Sequence, residues 1–171
     1  VPRIHRRAPL LVLAKGGPNR SLYPERAGRL PWPRPAVNAD SGQVIALIAA
    51  CWVQYPGNIL DIAGEEPGLR AVASHYAAMQ GRFWVATQTF PASEWITGCI
   101  GIIPTPGNPQ AQAELVRLYV HPRLRRQGLA RRLATLAEAQ AQEWHAHTID
   151  LWSDTRFVEA HAFYQALGYT Q

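Results

Sequence analysis

The chain has 171 residues, 47% of them hydrophobic, with six Trp and a formal net charge of +5. At that length one ordinary domain buries roughly 70% of its unfolded surface without disulfides or metal, and the apolar content excludes disorder of the whole. No run of about 18 apolar residues occurs that would cross a membrane, and two cysteines exclude a disulfide scaffold or a multi-cysteine zinc module.

Cys51 and Cys99 sit among apolar neighbours and read as small core residues in a reducing, cytoplasmic compartment. The charge is unevenly divided. Residues 1–35 hold seven Arg and one Lys against Glu25 alone, a net +7, whereas 36–171 hold nine Arg against eleven acids, a net −2. Seven of the fourteen prolines also fall in residues 1–35, including Pro31, Pro33 and Pro35. That density breaks helices and strands alike, so 1–35 is expected to be a basic, mobile extension, with one strand around Leu10–Leu13 as the alternative. Residues 3–14 have the outline of a secretory signal, but Pro9 interrupts the apolar run and no small-x-small cleavage site follows. A basic arm can meet a polyanion. The slightly acidic body and the lack of interleaved aromatics in the arm argue against a nucleic-acid partner.

The folded body begins near Val37. Asp40 or Ser41 can cap a helix whose apolar positions Val44, Leu47, Ile48, Cys51, Trp52 and Tyr55 follow the 3.6 period, and Pro56-Gly57 ends it. Glu65-Glu66-Pro67 opens a second helix with the stripe Leu69, Val72, Tyr76 and Met79, closed by Gly81. The period then changes to 2. Residues 82–88 and 95–103 read as strands joined through 90–93, 104–109 as a turn, and 114–120 as a third strand. Residues 128–145 form the longest helix, 148–152 a fourth strand, and 157–167 a last helix stopped by Gly168. This order gives a mixed α/β sandwich.

The informative stretch runs from Leu118-Tyr119-Val120 through Arg125, Arg126 and Gly128 into a helix. The first amides of a helix have no intrahelical partner and sit at its positive end. Small residues at Gly128 and Ala130 admit an anion, and Arg125, Arg126 and Arg131 add charge, so the turn suits a diphosphate. It is neither a nucleotide P-loop nor a dinucleotide turn, since both glycine patterns are absent.

Arg125-x-x-Gly128-x-Ala130 after Leu-Tyr-Val resembles motif A of the GNAT superfamily of N-acetyltransferases. Ile149-Asp-Leu-Trp152 and the helix holding Ala160-His-Ala-Phe-Tyr-Gln-Ala-Leu-Gly-Tyr169 resemble its second conserved segment. The resemblance covers roughly residues 36–171. It implies an α/β (α+β) fold, a mixed central sheet flanked by helices. It also implies transfer of an acetyl group from acetyl-CoA, as cosubstrate, to a primary amine of a small molecule or peptide. The amine attacks the thioester directly in a ternary complex, which suits a chain without a nucleophile elbow.

In family terms the turn amides of Arg126, Gln127, Gly128, Leu129 and Ala130 hold the CoA pyrophosphate. Arg125 and Arg131 flank it, and pantetheine runs along the backbone of Leu118 and Val120 like an added strand. A backbone amide near Val120 stabilises the oxyanion. Glu114 matches the strand position of a catalytic glutamate and is the candidate base; the alternative is a solvated strand residue or ion-pair partner. Tyr164 matches the recurrent tyrosine and is the candidate acid for the leaving thiolate; the alternative is a packed ring with its hydroxyl in water. Phe163 and Tyr164 lie 100° apart on a helix, so one can face the core and the other the cofactor. A non-catalytic acyl-CoA-binding module of the same fold is the competing reading.

Two departures stand out. Phe157 replaces the Asn that many relatives carry at the start of the last helix. The sequence ends at Gln171, where the family's final strands would begin, so the sheet is expected to lack them. Another chain supplies them, or residues 1–35 substitute in part, or the chain is truncated. The edge near 148–152 is then a liability, and a homodimer or strand exchange covering it is expected. Three further groups are weaker. His145-x-His147 has no third ligand nearby, so no metal is expected. Ser153-Asp154-Thr155 reads as the cap of the last helix or as acceptor-site residues, and His121 before Pro122 as structural. Nothing in the sequence names the acceptor amine.

Overall fold

The computed structural model describes residues 3–6, 32–55, 60–64, 66–90, 93–105 and 112–170, of which 3–6 and Phe90 are described by their backbone alone. In chain order come β1 (Arg3–Arg6), β2 (Arg34–Pro35), α1 (Ser41–Trp52), α2 (Val72–Ala78) and β3 (Arg82–Phe90). Then follow β4 (Ser93–Thr105), β5 (Gln112–Val120), α3 (Leu129–Glu143), β6 (Thr148–Trp152) and α4 (Val158–Ala166). The strands form a six-stranded sheet in the order β1-β6-β5-β4-β3-β2. Every pairing is antiparallel except β5 with β6, which α3 connects as a strand–helix–strand crossover. The expected mixed sheet flanked by helices is the fold observed.

The sheet separates two cores. On one face α1 and α2 bury Val44, Leu47, Ile48, Val72 and Tyr76 against Phe83, Val85, Ile96 and Cys99. On the other α3 and α4 bury Leu129, Leu133, Ala137, Ala141 and Tyr164 against Ile100, Ile102, Leu115, Ile149 and Leu151. Leu133 is fully buried, and truncating such a side chain to Ala costs about 2–5 kcal/mol. Gly98 makes the close approach of α3 to β4 workable. A Cβ there would lie 3.0 Å from a Leu133 methyl and 3.1 Å from one of Leu129.

Two capping expectations change. Ser41 does not cap its own helix; its Oγ accepts the Val72 N–H at 3.0 Å, the first amide of α2. Residues 67–71 before it form a 3-10 turn, so the second helix becomes α-helical only where that external cap is available. The Asp40 carboxylate accepts the Val37 N–H at 2.8 Å and two hydrogen bonds from Arg34 at 2.8 and 2.9 Å. It thus ties β2 to the start of α1.

The open sheet edge expected beside Thr148–Trp152 is not there. β1 pairs with β6 in antiparallel register from Arg3↔Trp152 to Arg6↔Ile149. The N-terminal strand satisfies the backbone groups that an unpaired edge would leave, and the ground for expecting a dimer at that edge falls away. Two pieces of the 1–35 segment therefore join the sheet, β1 at one edge and β2 at the other. The Leu10–Leu13 segment, the Pro56-Gly57 helix stop and the centres of the turns at 91–92 and 106–109 lie outside the described residues.

Candidate active site

The site starts from one irregularity in β5. Between the pairs Gly101↔Val116 and Cys99↔Tyr119, β4 spends one residue and β5 spends two, Arg117 and Leu118. Arg117 takes a φ of 56°. This β-bulge reverses which way later side chains point. Before it, Ala113 and Leu115 belong to the α3–α4 core and Val116 packs against the α1–α2 core. After it, Leu118 and Val120 belong to the α3–α4 side and Tyr119 to the α1–α2 side. Strict alternation would have placed these three the other way round.

The bulge also ends the contact of β5 with β6. Their parallel ladder runs from Gln112↔Thr148 to Leu115↔Leu151 and stops. Beyond it two clefts open, of about 580 and 570 Å³, within the range of small-molecule sites. They meet at Trp52, Leu118, Tyr119, Phe157, Ala160 and Tyr164, which line both.

One cleft runs to the N-terminus of α3 past Val120, Arg125, Arg126, Gly128, Leu129, Ala130 and Arg131. Gly128 caps that helix with a φ of 85°, and a Cβ on it would meet nothing within 4 Å. The Arg132 N–H to Gly128 carbonyl bond, 3.1 Å, opens the helical ladder, so the amides of Leu129, Ala130 and Arg131 have no intrahelical acceptor. The exposed Arg126 takes a φ of 64°. Gln127, of the predicted set, lies outside both clefts. Arg125 borders the cleft, but its guanidinium turns back. Nε donates to the Val120 carbonyl at 3.3 Å and Nη1 to Gln54 Oε1 at 3.0 Å, so it ties the end of β5 to the end of α1.

The backbone of β5 is oriented by its last ladder bond. The His121 N–H donates to the Thr97 carbonyl on the β4 side at 2.8 Å. Strand alternation then turns the amides of Leu118 and Val120 the opposite way, toward the cleft.

The other cleft is walled by Glu66, Glu114, Val116 and Arg117 on one side and by Trp152, Ser153, Asp154 and Arg156 on the other. Glu114 lines this cleft alone, half-buried, with Asp150 beside it in register on β6. Tyr164 lines both clefts and is 6% exposed; burial pushes its phenol above the ordinary value, which keeps the hydroxyl protonated. Phe163 also borders the first cleft, so the two neighbours on α4 do not divide cleanly between core and cofactor.

Trp52, Glu66 and Arg117 line the clefts without any sequence signal of function. The Trp52 indole N–H donates to the Tyr119 hydroxyl at 2.9 Å, and burial pushes that phenol up to about 12. Arg117 pairs with Glu66. Phe157 packs its ring 4.5 Å from that of Tyr55, whose hydroxyl donates to Glu159 at 3.2 Å. The bulge and these cross-element contacts are tertiary, and no local pattern announces them.

The weaker groups resolve as follows. α4 receives no side-chain cap. Asp154 instead accepts the Arg156 N–H at 2.9 Å and pairs with its guanidinium, whose bonds hold the carboxyl down to about 2. His121 Nδ1 accepts the Arg123 N–H at 3.4 Å, a structural role at the turn before α3. His145 and His147 precede β6 rather than sharing a strand face. Cys51 and Cys99 are buried free thiols; their S–H groups donate to the carbonyls of Val120 at 3.5 Å and Arg117 at 3.3 Å.

A sequence profile of the Acetyltransferase (GNAT) family matches residues 43–169. The uncharacterized N-acetyltransferase YjgM of Escherichia coli K12 is 30% identical over 104 residues, 61% of this chain and 60% of that protein. The match thus spans about three-fifths of the curated relative. Among solved structures, an acetyltransferase of the GNAT family from Staphylococcus aureus Mu50 superposes with a TM-score of 0.69 at 20% identity, over 80% of this chain and 82% of that one. A Clostridium acetobutylicum protein described as a predicted acetyltransferase with acetyl-CoA gives 0.65 at 16% identity, over 81% and 89%. At such identities the structural likeness establishes the fold.

Proposed function

Because the chain belongs to the GNAT acetyltransferase family, we propose that it transfers the acetyl group of acetyl-CoA to a primary amine of a small molecule or peptide. The transfer is direct, within a ternary complex. The observation that carries this reading is the meeting of two clefts at Tyr164, one ending on the α3 N-terminus and the other walled by Glu114. The residues at the first cleft fit the cosubstrate. Gly128 leaves open space where a side chain would stand, and the amides of Leu129, Ala130 and Arg131 can take a pyrophosphate at the positive end of the helix. Arg126 and Arg131 supply charge beside them. Arg125 contributes by holding the Val120 carbonyl, and Gln127 through its place in the turn.

Acetyl-CoA supplies an acyl group activated as a thioester. The chain's own groups do the rest. The backbone of Leu118 and Val120 aligns the pantetheine arm, and the Val120 amide donates to the carbonyl oxygen as negative charge develops on it. Glu114 accepts the amine's proton through a chain of water molecules, because the six strand positions from Glu114 to Val120 span about 20 Å. Tyr164 donates to the departing sulfur. Its raised proton affinity makes it a hydrogen-bond donor first and a full proton donor second, since a thiol near 8.5 is the stronger acid. The domain that does this work is residues 36–171, with β1 and β2 as edge strands. The buried free thiols support a reducing, cytoplasmic setting.

The test is a panel of primary amines assayed for CoA release with acetyl-CoA. At least one small or peptide amine is expected to give stoichiometric N-acetyl product. CoA binding without release across amino acids, polyamines and peptide N-termini would overturn the reading.

A further inference from the structure

Resting on the acetyl-transfer reading, we propose that the acceptor amine also carries an anionic group, a carboxylate or similar oxyanion, and that Arg117 receives it. Three observations converge on this side chain. Its backbone has a φ of 56°, a left-handed conformation that a non-glycine residue holds only against strain and that clusters at functional sites. The same conformation creates the bulge, so the residue that opens the two clefts also lines the acceptor one.

The second observation is chemical. An arginine offers five N–H donors. Among the described residues Arg117 uses Nη2 on Glu66; Nε, buried without a hydrogen-bond partner, is out of a ligand's reach, so the donors open to an acceptor are those at the tip of the guanidinium. The side chain remains 32% exposed. A guanidinium held by one carboxylate through one nitrogen keeps donors for a second acceptor, and a planar oxyanion matches them.

The third is the contrast within the cleft. Arg156, at the far wall, gives Nε and Nη2 to Asp154 at 2.9 and 2.6 Å, a closed bidentate pair. Of the two arginines, Arg117 is therefore the one with capacity to spare. Arg117 stands three positions before Val120, about 10 Å along a strand. An acceptor whose amine reaches the thioester at Val120 can place its anion on Arg117 if the acceptor and the long arginine side chain together bridge that distance. Small amino acids and aminoalkyl phosphates are the compact acceptors that test it. Glu66 balances the guanidinium when the acceptor is absent.

The experiment uses matched acceptors: an α-amino acid, its carboxamide, its decarboxylated amine and the corresponding aminoalkyl phosphate. kcat/KM is measured for each with wild type and with Arg117→Gln. Wild type should favour the carboxylate or the phosphate over the neutral partners by about 10-fold or more, the value of one charge-assisted hydrogen bond, and the better of the two identifies the oxyanion. Arg117→Gln should erase the preference through KM while leaving acetyl-CoA affinity unchanged, which also verifies folding. Equal use of neutral and anionic acceptors by wild type overturns the inference while leaving acetyl transfer intact. So does a preference that survives in Arg117→Gln. CoA binding with no release for any acceptor overturns the acetyl-transfer reading and this inference together.

Discussion

The two clefts that meet at Tyr164 are built by different means. The anion-binding end of the proposed cosubstrate cleft is mostly backbone: the end of β5, the turn through Gly128 and the first amides of α3, all between 118 and 131, while side chains around the end of α1 and on α4 close the rest of its wall. The acceptor cleft is mostly side chain, drawn from α1, the segment before α2, β5, the end of β6 and α4. A backbone site depends on conformation and tolerates most side chains. A side-chain site depends on which distant elements are brought together. Substitutions should therefore separate the two clefts, with affinity for acetyl-CoA changing in one and turnover or acceptor choice changing in the other.

The largest effect is expected where backbone conformation is forced. Gly128 holds a φ of 85°, which a β-branched residue hardly adopts. Gly128→Val should weaken acetyl-CoA binding about 100-fold by calorimetry, from strain at the turn and a side chain where the anion approaches. Gly128→Asn sharpens the comparison, because Asn tolerates the left-handed region and should lose about tenfold less. Equal losses in the two variants would contradict the backbone argument.

Next comes the junction. Tyr164→Phe keeps the ring in the α3–α4 core and removes the hydroxyl. Turnover is expected to fall about 30-fold, at the low end for an acid, with acetyl-CoA affinity nearly constant. An unchanged kcat under conditions where chemistry limits the rate would remove Tyr164 from the reaction. Glu114, which lines the second cleft and not the first, should respond in the same direction and less: Glu114→Gln is expected to lower kcat about tenfold if the proposed base role passes through water. A loss of acetyl-CoA affinity in that variant would break the assignment of the two clefts.

The gentlest probe is the pH dependence of stability at the acceptor wall. Arg156 holds the Asp154 carboxyl down to about 2, below its ordinary value. A depressed folded-state pKa stabilises above the unfolded pKa and loses that contribution as pH falls through the folded value. Asp154→Asn should therefore lower Tm at neutral pH by about 1 °C, as befits an exposed pair. The difference should shrink steadily between about pH 4 and pH 2. A difference that grows on acidification would reverse the sign.

The same contrast explains what the sequence could disclose. The turn from Leu118 to Arg131 was legible because its information is local: a strand period, a glycine, then a helix period, in one run of residues. The two cores were legible for the same reason, with Val44, Leu47 and Ile48 or Leu129 and Leu133 each spaced to share a helix face. The second cleft was legible only in part, at Glu114, Tyr164 and the Ser153-Asp154 pair that line it. A bulge with arginine in the left-handed region has no spacing signature, and it inverts the faces that simple alternation gives Leu118, Tyr119 and Val120. Ser41 capping α2 rather than α1, and β1 returning from the N-terminus to pair with β6, are likewise long-range choices. They are settled by which backbone groups still lack partners once the helices and the central strands have packed.

A crystal structure of the complex with CoA tests the arrangement most directly. The expected result has pyrophosphate oxygens within hydrogen-bond distance of the amides of Leu129, Ala130 and Arg131. The pantetheine should lie along Leu118 and Val120, with the sulfur at the Tyr164 hydroxyl, facing the acceptor cleft. A CoA whose pyrophosphate lies away from the α3 N-terminus, or whose sulfur points away from Tyr164, would contradict it.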